Sequence, residues 1–139
     1  MRSVLIGIAA IGLLAAVQAN AAEVHFKAKL TGAAETPPND SKGAGKAAVT
    51  LDTTTKKITW TVTYEGLTGP ATMAHFHGPA PVGKAAGVAV PLPNPVTSPA
   101  HGTASVTDSQ ISDLKAGLWY VNVHTAAHPD GEIRGQLTH

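Results

Sequence analysis

The segment Ile58-Thr59-Trp60-Thr61-Val62-Thr63-Tyr64 alternates large apolar residues with threonines. Successive side chains of a β-strand point to opposite faces, so this alternation predicts a strand with one buried face and one polar face. Every residue in the segment is β-branched or aromatic, and both types favour strands. The segment therefore indicates that this chain builds β-sheet.

Further short strands are predicted on both sides of this segment, and turns rich in Pro, Gly, Asn and Asp separate them. These strands are Ala47–Asp52, Met73–His77, Gly87–Leu92, Gly102–Thr107, Leu118–His124 and Glu132–Thr138. Only Asp108–Ala116 has helical character, with Thr107 or Asp108 as its N-cap. The pattern predicts an all-β fold, a single antiparallel β-sandwich or Greek-key-like barrel with at most one short helix.

The first residues have the features of an export signal. Arg2 is followed by the uncharged apolar run Val4–Val17 and then by Ala19-Asn20-Ala21. This arrangement predicts a signal peptide over residues 1–21, cleaved after Ala21. The apolar run is shorter than the about 20 residues that a spanning helix needs, so no membrane span is expected after cleavage. We expect residues 22–139 to form one domain that is periplasmic or secreted.

Charge and cysteine content exclude several classes of function. The chain has ten Lys+Arg, one of them Arg2 in the predicted signal peptide, and nine Asp+Glu. Charge in the predicted domain is therefore balanced, which excludes nucleic acid and acidic lipid as partners. The absence of cysteine excludes thiolate zinc sites, iron–sulfur clusters, blue-copper centres and cysteine catalysis. Any metal must bind through imidazole, carboxylate or backbone oxygen.

Histidines provide the candidate metal ligands. In His75-Phe76-His77 the two imidazoles project from one face of a strand while Phe76 enters the core. In the strand that ends at His124, large apolar residues alternate with Tyr120, Asn122 and His124, so His124 also faces away from the core. We therefore expect His75, His77 and His124 to share the outer face of the sheet. Three protein ligands are enough for a stable metal site.

Four other histidines remain. His101 and His128 stand in or beside loops that flank the strands of the first three, and both are candidates for a fourth ligand. His25 and His139 lie near the termini and are interpreted as surface residues.

Arg134 is the only arginine after the predicted signal peptide. In the last predicted strand Ile133 and Leu137 take the core face, so Arg134 takes the outer, histidine-bearing face. Two interpretations remain open. Arg134 forms a surface pair with Glu132, which contributes little energy, or it is a fixed cation beside the metal that attracts small anions and acts in catalysis.

Several motifs resemble one family. Tyr120–Thr125 reads YVNVHT, Gly131–Leu137 reads GEIRGQL and Ala74–Ala80 reads AHFHGPA, where the family has AHIHGPA. The segment Glu35-Thr36-Pro37-Pro38 matches the family's early E-x-P-P. In order and spacing, these motifs resemble the CHRD (chordin) domain family across nearly all of residues 22–139. The resemblance implies a β-sandwich domain of the type found singly in exported bacterial proteins, without a settled activity.

A more distant resemblance is to Cu,Zn superoxide dismutase. That family also has an H-x-H pair on an exterior strand, a later V-H around an external copper, and an arginine that guides superoxide. The resemblance implies that His75, His77, His124 and Arg134 are the corresponding set. The disulfide and the zinc subsite of that family are absent here, so the resemblance implies at most a copper-only enzyme.

Three functions compete on these grounds. An all-imidazole site suits Cu(II) or Zn(II), and copper ranks first on intrinsic affinity, with zinc as the alternative. The first hypothesis is an exported copper-binding protein that extends to a copper-only superoxide dismutase, with superoxide as its small-molecule partner. The second is a non-catalytic periplasmic metal carrier or buffer. The third is an adhesion or interaction domain in which the histidines are structural.

Overall fold

The computed structural model describes residues 11–13 and 22–139. Within this part, eight strands form one antiparallel sheet in the order β5-β4-β7-β8-β1-β2-β3-β6, which curls into a nearly closed barrel. The strands are β1 (Glu23–Thr31), β2 (Ala44–Asp52), β3 (Lys57–Glu65), β4 (Ala71–His77), β5 (Val88–Pro91), β6 (Ala100–Ser105), β7 (Tyr120–Thr125) and β8 (Ile133–Gln136). The predicted all-β fold is confirmed.

Most of the predicted signal peptide lies outside the described residues, so its cleavage remains a prediction. None of the helices in the described residues has the length and apolar composition of a membrane span.

The single α-helix of the described residues is α1 (Asp108–Lys115), close to the predicted range. Thr107 caps it, because the threonine hydroxyl accepts from the Gln110 N–H at 3.1 Å while the Gln110 side chain accepts from the Thr107 N–H at 2.9 Å. This reciprocal pair satisfies two backbone donors that the first helical turn leaves free. Leu114 is the buried residue of the helix and attaches it to the core.

The core lies inside the curled sheet and contains the apolar face that β3 was predicted to bury. Ile58, Trp60 and Val62 are all buried. Trp60 meets Phe76 of β4 edge to face, with their ring centroids 5.3 Å apart. Phe76 therefore faces inward, as the sequence predicted, and its neighbours in β4 face outward.

β1 was not predicted, although its sequence carries the required signal. Phe26, Ala28 and Leu30 are buried while the intervening Lys27 and Lys29 are exposed. This is the same period-two alternation as in β3. β1 pairs with β2 along its whole length.

The order β4-β7-β8 determines where the candidate site residues lie. In the β4–β7 register His75 pairs with Asn122 and His77 with Tyr120, and in the β7–β8 register Asn122 pairs with Arg134. Directly opposed side chains lie on the same face of a sheet. The histidines, Asn122 and Arg134 thus share one face, and loops cover it so closely that every residue of β7 is buried.

Candidate metal centre

β4 and β7 bring three of the predicted ligands together. One ring nitrogen from each of His75, His77 and His124 lies within 4.8 Å of the other two, and we call these residues the histidine cluster. The closest pair is Nδ1 of His75 and Nε2 of His124, at 3.1 Å. His77 and His124 are 9% and 6% exposed, whereas His75 is half-buried, so the cluster has one side open to solvent.

Backbone carbonyl groups orient two of the rings. Nδ1 of His77 lies 3.0 Å from the Ala86 carbonyl oxygen, and Nδ1 of His124 lies 2.8 Å from that of Pro129. A carbonyl oxygen only accepts hydrogen bonds, so both Nδ1 atoms carry the hydrogen in the neutral rings. The two Nε2 atoms therefore present lone pairs, which is the tautomer that carbonyl-oriented metal-binding histidines use.

The Asn122 amide lies between these lone pairs. Its Oδ1 atom is 2.9 Å from Nε2 of His77 and 3.0 Å from Nε2 of His124. Asn122 itself is 4% exposed. An oxygen and two imidazole nitrogens, all with lone pairs, thus converge on one small volume. This donor set fits a metal ion that binds nitrogen and oxygen.

Burial disfavours protonation of two rings of the cluster. It lowers the pKa of His75, and the neighbouring His124 and His77 lower it further. Burial also lowers the pKa of His77 more than the contacts with Ala86 and Asn122 raise it. Neutral imidazole is the form that binds metal, so these two lowered pKa values favour the binding-competent form of His75 and His77.

Arg134 is held behind the cluster by an aromatic ring. The His77 ring stacks on Tyr120 with a centroid distance of 4.8 Å and an interplanar angle of 6°. The guanidinium carbon of Arg134 lies 3.4 Å from the centroid of the same Tyr120 ring. Because β7 carries Tyr120 between β4 and β8, the histidine and the arginine reach the ring from opposite strands. The charge of Arg134 still contributes to lowering the pKa of His77.

Loop residues complete the environment of Arg134, which is 1% exposed. Its guanidinium donates to Thr36 Oγ1 at 3.2 Å and, at 3.3 Å each, to the Pro81 carbonyl and Gln136 Oε1. The interpretation of Arg134 as half of a surface pair with Glu132 is therefore wrong, because both residues are buried. Its role as a catalytic cation remains a prediction.

Glu132 is a buried carboxylate that connects two loops and β7 by hydrogen bonds. Its carboxylate accepts from Ser41 Oγ at 2.7 Å, from the Thr68 N–H at 3.0 Å and from Thr125 Oγ1 at 2.8 Å. Although burial raises the pKa of Glu132, these hydrogen bonds lower it more and keep the carboxylate ionised. Segments distant in sequence are thereby held against the start of β8.

Glu35 is the other buried carboxyl on this face, at 4% exposed, and its pKa shifts in the opposite direction. Burial raises its pKa to about 7, although the Thr36 backbone, the charge of Arg134 and the Asn122 amide each favour the ionised form. Its Oε1 atom has no well-formed hydrogen bond within the described part of the chain. Gly131 lies against both Glu35 and Asn122, since a Cβ there would be 2.4 Å from Oε1 and 2.7 Å from Asn122 Nδ2.

A scan against family models matches residues 26–137 to the CHRD domain. The chain belongs to the CHRD domain family. No curated protein and no solved structure matches the chain significantly. The more distant resemblance to superoxide dismutase is not confirmed by these comparisons.

The motifs that carry the CHRD resemblance also build the site. YVNVHT forms β7, GEIRGQL contains β8, AHFHGPA ends β4, and E-x-P-P is the loop that holds Glu35. Two residues of this CHRD domain, Asn122 and Glu35, were not predicted as site residues. Asn122 had a usable signal, because it lies two residues before His124 and therefore on the same strand face.

The two candidates for a fourth histidine lie outside the histidine cluster. His101 is on β6, exposed and opposite Thr61 of β3, with its Nδ1 3.1 Å from the threonine hydroxyl. His128 is in the turn between β7 and β8, where its backbone pairs with Thr125. It borders a cleft of about 250 Å³ that Glu35 also lines.

Proposed function

We propose that this CHRD domain binds one transition-metal ion through His75, His77 and His124, with copper as the preferred metal and zinc as the alternative. One observation carries the proposal. The carbonyl groups of Ala86 and Pro129 fix the rings of His77 and His124 so that both Nε2 lone pairs face the same point. These Nε2 atoms lie 2.9 and 3.0 Å from Oδ1 of Asn122, and unprotonated nitrogens this close to an amide oxygen are unfavourable unless a cation lies between them, which a metal ion supplies.

The ligand types favour copper. Imidazole nitrogen with neighbouring amide oxygen suits Cu(II), and affinity for such sites is greatest for copper among the divalent first-row metals. Zinc accepts the same ligands in a tetrahedral arrangement. Calcium and magnesium prefer oxygen ligands and fit a cluster of imidazoles poorly.

Residues around the cluster would orient its rings and reduce competition from protons. Ala86 and Pro129 orient the rings of His77 and His124, and burial of the two rings on β4 disfavours protonation that would compete with the metal. The half-exposed side at His75 would be the entry path for the ion. A protein with these properties acts as a carrier or buffer of metal in the cell envelope.

Superoxide dismutation is the second candidate function, and the charge of Arg134 favours it. That charge is close enough to contribute to the lowered pKa of His77, so the site has a positive contribution that would attract a small anion. A bound copper ion would supply the one-electron redox chemistry. The chain itself would hold the ion, admit the anion past His75 and keep Arg134 fixed against Tyr120.

Export is part of the proposal. We propose that residues 1–21 are removed and that the domain functions in the periplasm or outside the cell. Intact mass measurement of protein from the periplasmic fraction tests this. A mass that corresponds to a chain beginning at Ala22 is expected, and a full-length chain retained in the cytoplasm would contradict it.

Metal analysis and titration calorimetry of the mature chain test the metal site. About one Cu(II) per chain is expected, and replacing any one histidine of the cluster by Ala should weaken binding by more than tenfold, because even outer-shell partners contribute 10- to 100-fold. His25→Ala is the matched control, since His25 is exposed and outside the cluster. His101→Ala and His128→Ala should also bind as the parent does.

The outcomes separate the three hypotheses. A triple variant of the cluster that binds copper as well as the parent would refute the site. A parent that binds neither copper nor zinc would leave the histidines structural and favour an interaction domain. If the copper-loaded parent binds as proposed, superoxide consumption above that of free copper at the same concentration supports the enzyme, and its absence supports the carrier.

A further inference from the structure

Asn122 carries a side-chain oxygen that contacts two rings of the histidine cluster, and it belongs to the same strand face. It lies two residues before His124 on β7 and directly opposite His75 on β4. Its Oδ1 atom is 2.9 Å from Nε2 of His77 and 3.0 Å from Nε2 of His124. Both distances would be ordinary for hydrogen bonds if a hydrogen were available.

At least one of these two contacts has no hydrogen atom between its two acceptor atoms. A neutral imidazole has one N–H, and in His77 the Ala86 carbonyl requires it at Nδ1. Nε2 of His77 and Oδ1 of Asn122 are then two acceptors at 2.9 Å. For His124 the Pro129 carbonyl imposes the same tautomer. Acceptors this close are unfavourable in a buried site unless a cation is shared between them.

The surroundings of the amide keep its oxygen on the histidine side. The Nδ2 atom of Asn122 lies against Gly131, beside the carboxyl group of Glu35. Oε1 of Glu35 lacks a well-formed hydrogen bond among the described residues, so an acceptor for the amide N–H lies on this side. Rotating the amide by half a turn would leave that oxygen with no amide N–H beside it, so the amide nitrogen remains on the Glu35 side.

We propose that Asn122 completes the metal site as a fourth ligand through Oδ1, so that the ion is bound by three imidazole nitrogens and one amide oxygen. This inference rests on the proposed metal-binding function. Ligand atoms around a tetrahedral ion with bonds of about 2.0–2.1 Å are about 3.3 Å apart. The observed separations of 2.9, 3.0 and 3.1 Å are within a few tenths of an ångström of that spacing.

Four protein ligands make a tighter site than three. A nitrogen and oxygen set is typical of Cu(II), and the half-exposed side at His75 is where a further small ligand would reach the ion. An amide oxygen adds no charge, so the ion keeps its full positive charge beside the buried Arg134. The site would therefore attract anions more strongly than one closed by a carboxylate.

The test compares Asn122→Ala with the parent and with Asn94→Ala, a control at an exposed asparagine. Calorimetry should give about one Cu(II) for all three, with at least tenfold weaker binding only in the Asn122 variant. The Cu(II) EPR parameters of that variant should also change, because one oxygen ligand is lost or replaced by water. Circular dichroism of the metal-free variant checks that it folds.

A second measurement needs no substitution. The parent is prepared with asparagine labelled with ¹³C at the side-chain carbonyl, loaded with Cu(II) and examined by pulsed EPR. Coordination through Oδ1 should give an isotropic ¹³C coupling, which a carbonyl that is merely nearby lacks. Copper binding without that coupling, or an Asn122 variant with parental affinity and spectrum, would overturn the inference and leave the three-histidine site intact. If the parent itself binds no Cu(II), both proposals are refuted.

Discussion

Replacing Glu35 by Gln should change how stability depends on pH in metal-free protein. The carboxyl group is buried, and burial raises its pKa from 4.5 to about 7. The folded protein therefore holds the proton more tightly than the unfolded chain does. The stabilisation by protonated Glu35 is fully present below pH 4.5, where both states are protonated, and is lost as pH rises through 7.

The size of the effect follows from the shift. One pKa unit corresponds to about 1.4 kcal/mol, so a shift from 4.5 to about 7 has an upper limit of about 3 kcal/mol in the free energy of unfolding. Glu35 also lines a cleft of about 250 Å³. Water in this cleft screens part of the effect, so about 2 kcal/mol is expected between pH 5 and pH 8.

Urea unfolding at several pH values, in the presence of a chelator, measures this quantity. The other ionisable groups are present in both proteins, so their contributions cancel in the difference. The Gln variant should gain about 2 kcal/mol relative to the parent from pH 5 to pH 8. Glu65→Gln, at an exposed position, should follow the parent throughout. If the difference in unfolding free energy between the parent and the Gln variant is constant with pH, within about 0.5 kcal/mol, the raised pKa of Glu35 is refuted.

Three further predictions concern the site and the core. Copper affinity of the parent, measured by calorimetry, should fall as pH drops below the ordinary histidine pKa of about 6.5, because protons then compete for imidazoles even though the pKa values of His75 and His77 are lowered. Arg134→Lys should reduce the free energy of unfolding by about 2 kcal/mol or more in urea titrations, since a lysine cannot reproduce the forked contacts and ring stacking; unchanged stability would contradict its structural role. Gly102→Ala should cost about 1–3 kcal/mol in the same assay, because its Cβ would lie 2.3 Å from the Trp60 ring, whereas Gly87→Ala has free space and should be neutral.

The fold was predictable where the alternation along one strand is sufficient evidence. Ile58, Trp60 and Val62 enter the core as the period of two requires, and α1 begins at the predicted cap. β1 shows the limit of local patterns. Its alternation of apolar residues with lysines is clear, but its place in the sheet depends on pairing with β2 and on the contact of Thr31 with Arg134, about a hundred residues away.

The histidine cluster was predictable for the same reason, since residues two apart in a strand share a face. The loops that cover that face were not predictable in this way. Arg134 is buried because Thr36 and Pro81, in separate loops, supply its acceptors. No periodicity in β8 indicates that these loops fold over it. The polar character of the face correctly indicated its direction away from the core, but burial depended on contacts between segments distant in sequence.

The burial of Arg134 changes what a steering role would require. An exposed cation attracts superoxide through solvent, and its effect declines steeply with salt because mobile ions screen it. Arg134 is 1% exposed and is separated from His77 by the Tyr120 ring, so mobile ions cannot approach it closely. Its field at the cluster would be screened much less than that of an exposed charge. If the copper form consumes superoxide, the part of the rate that depends on Arg134 should persist at high salt, and any steep salt dependence should arise from the exposed lysines instead.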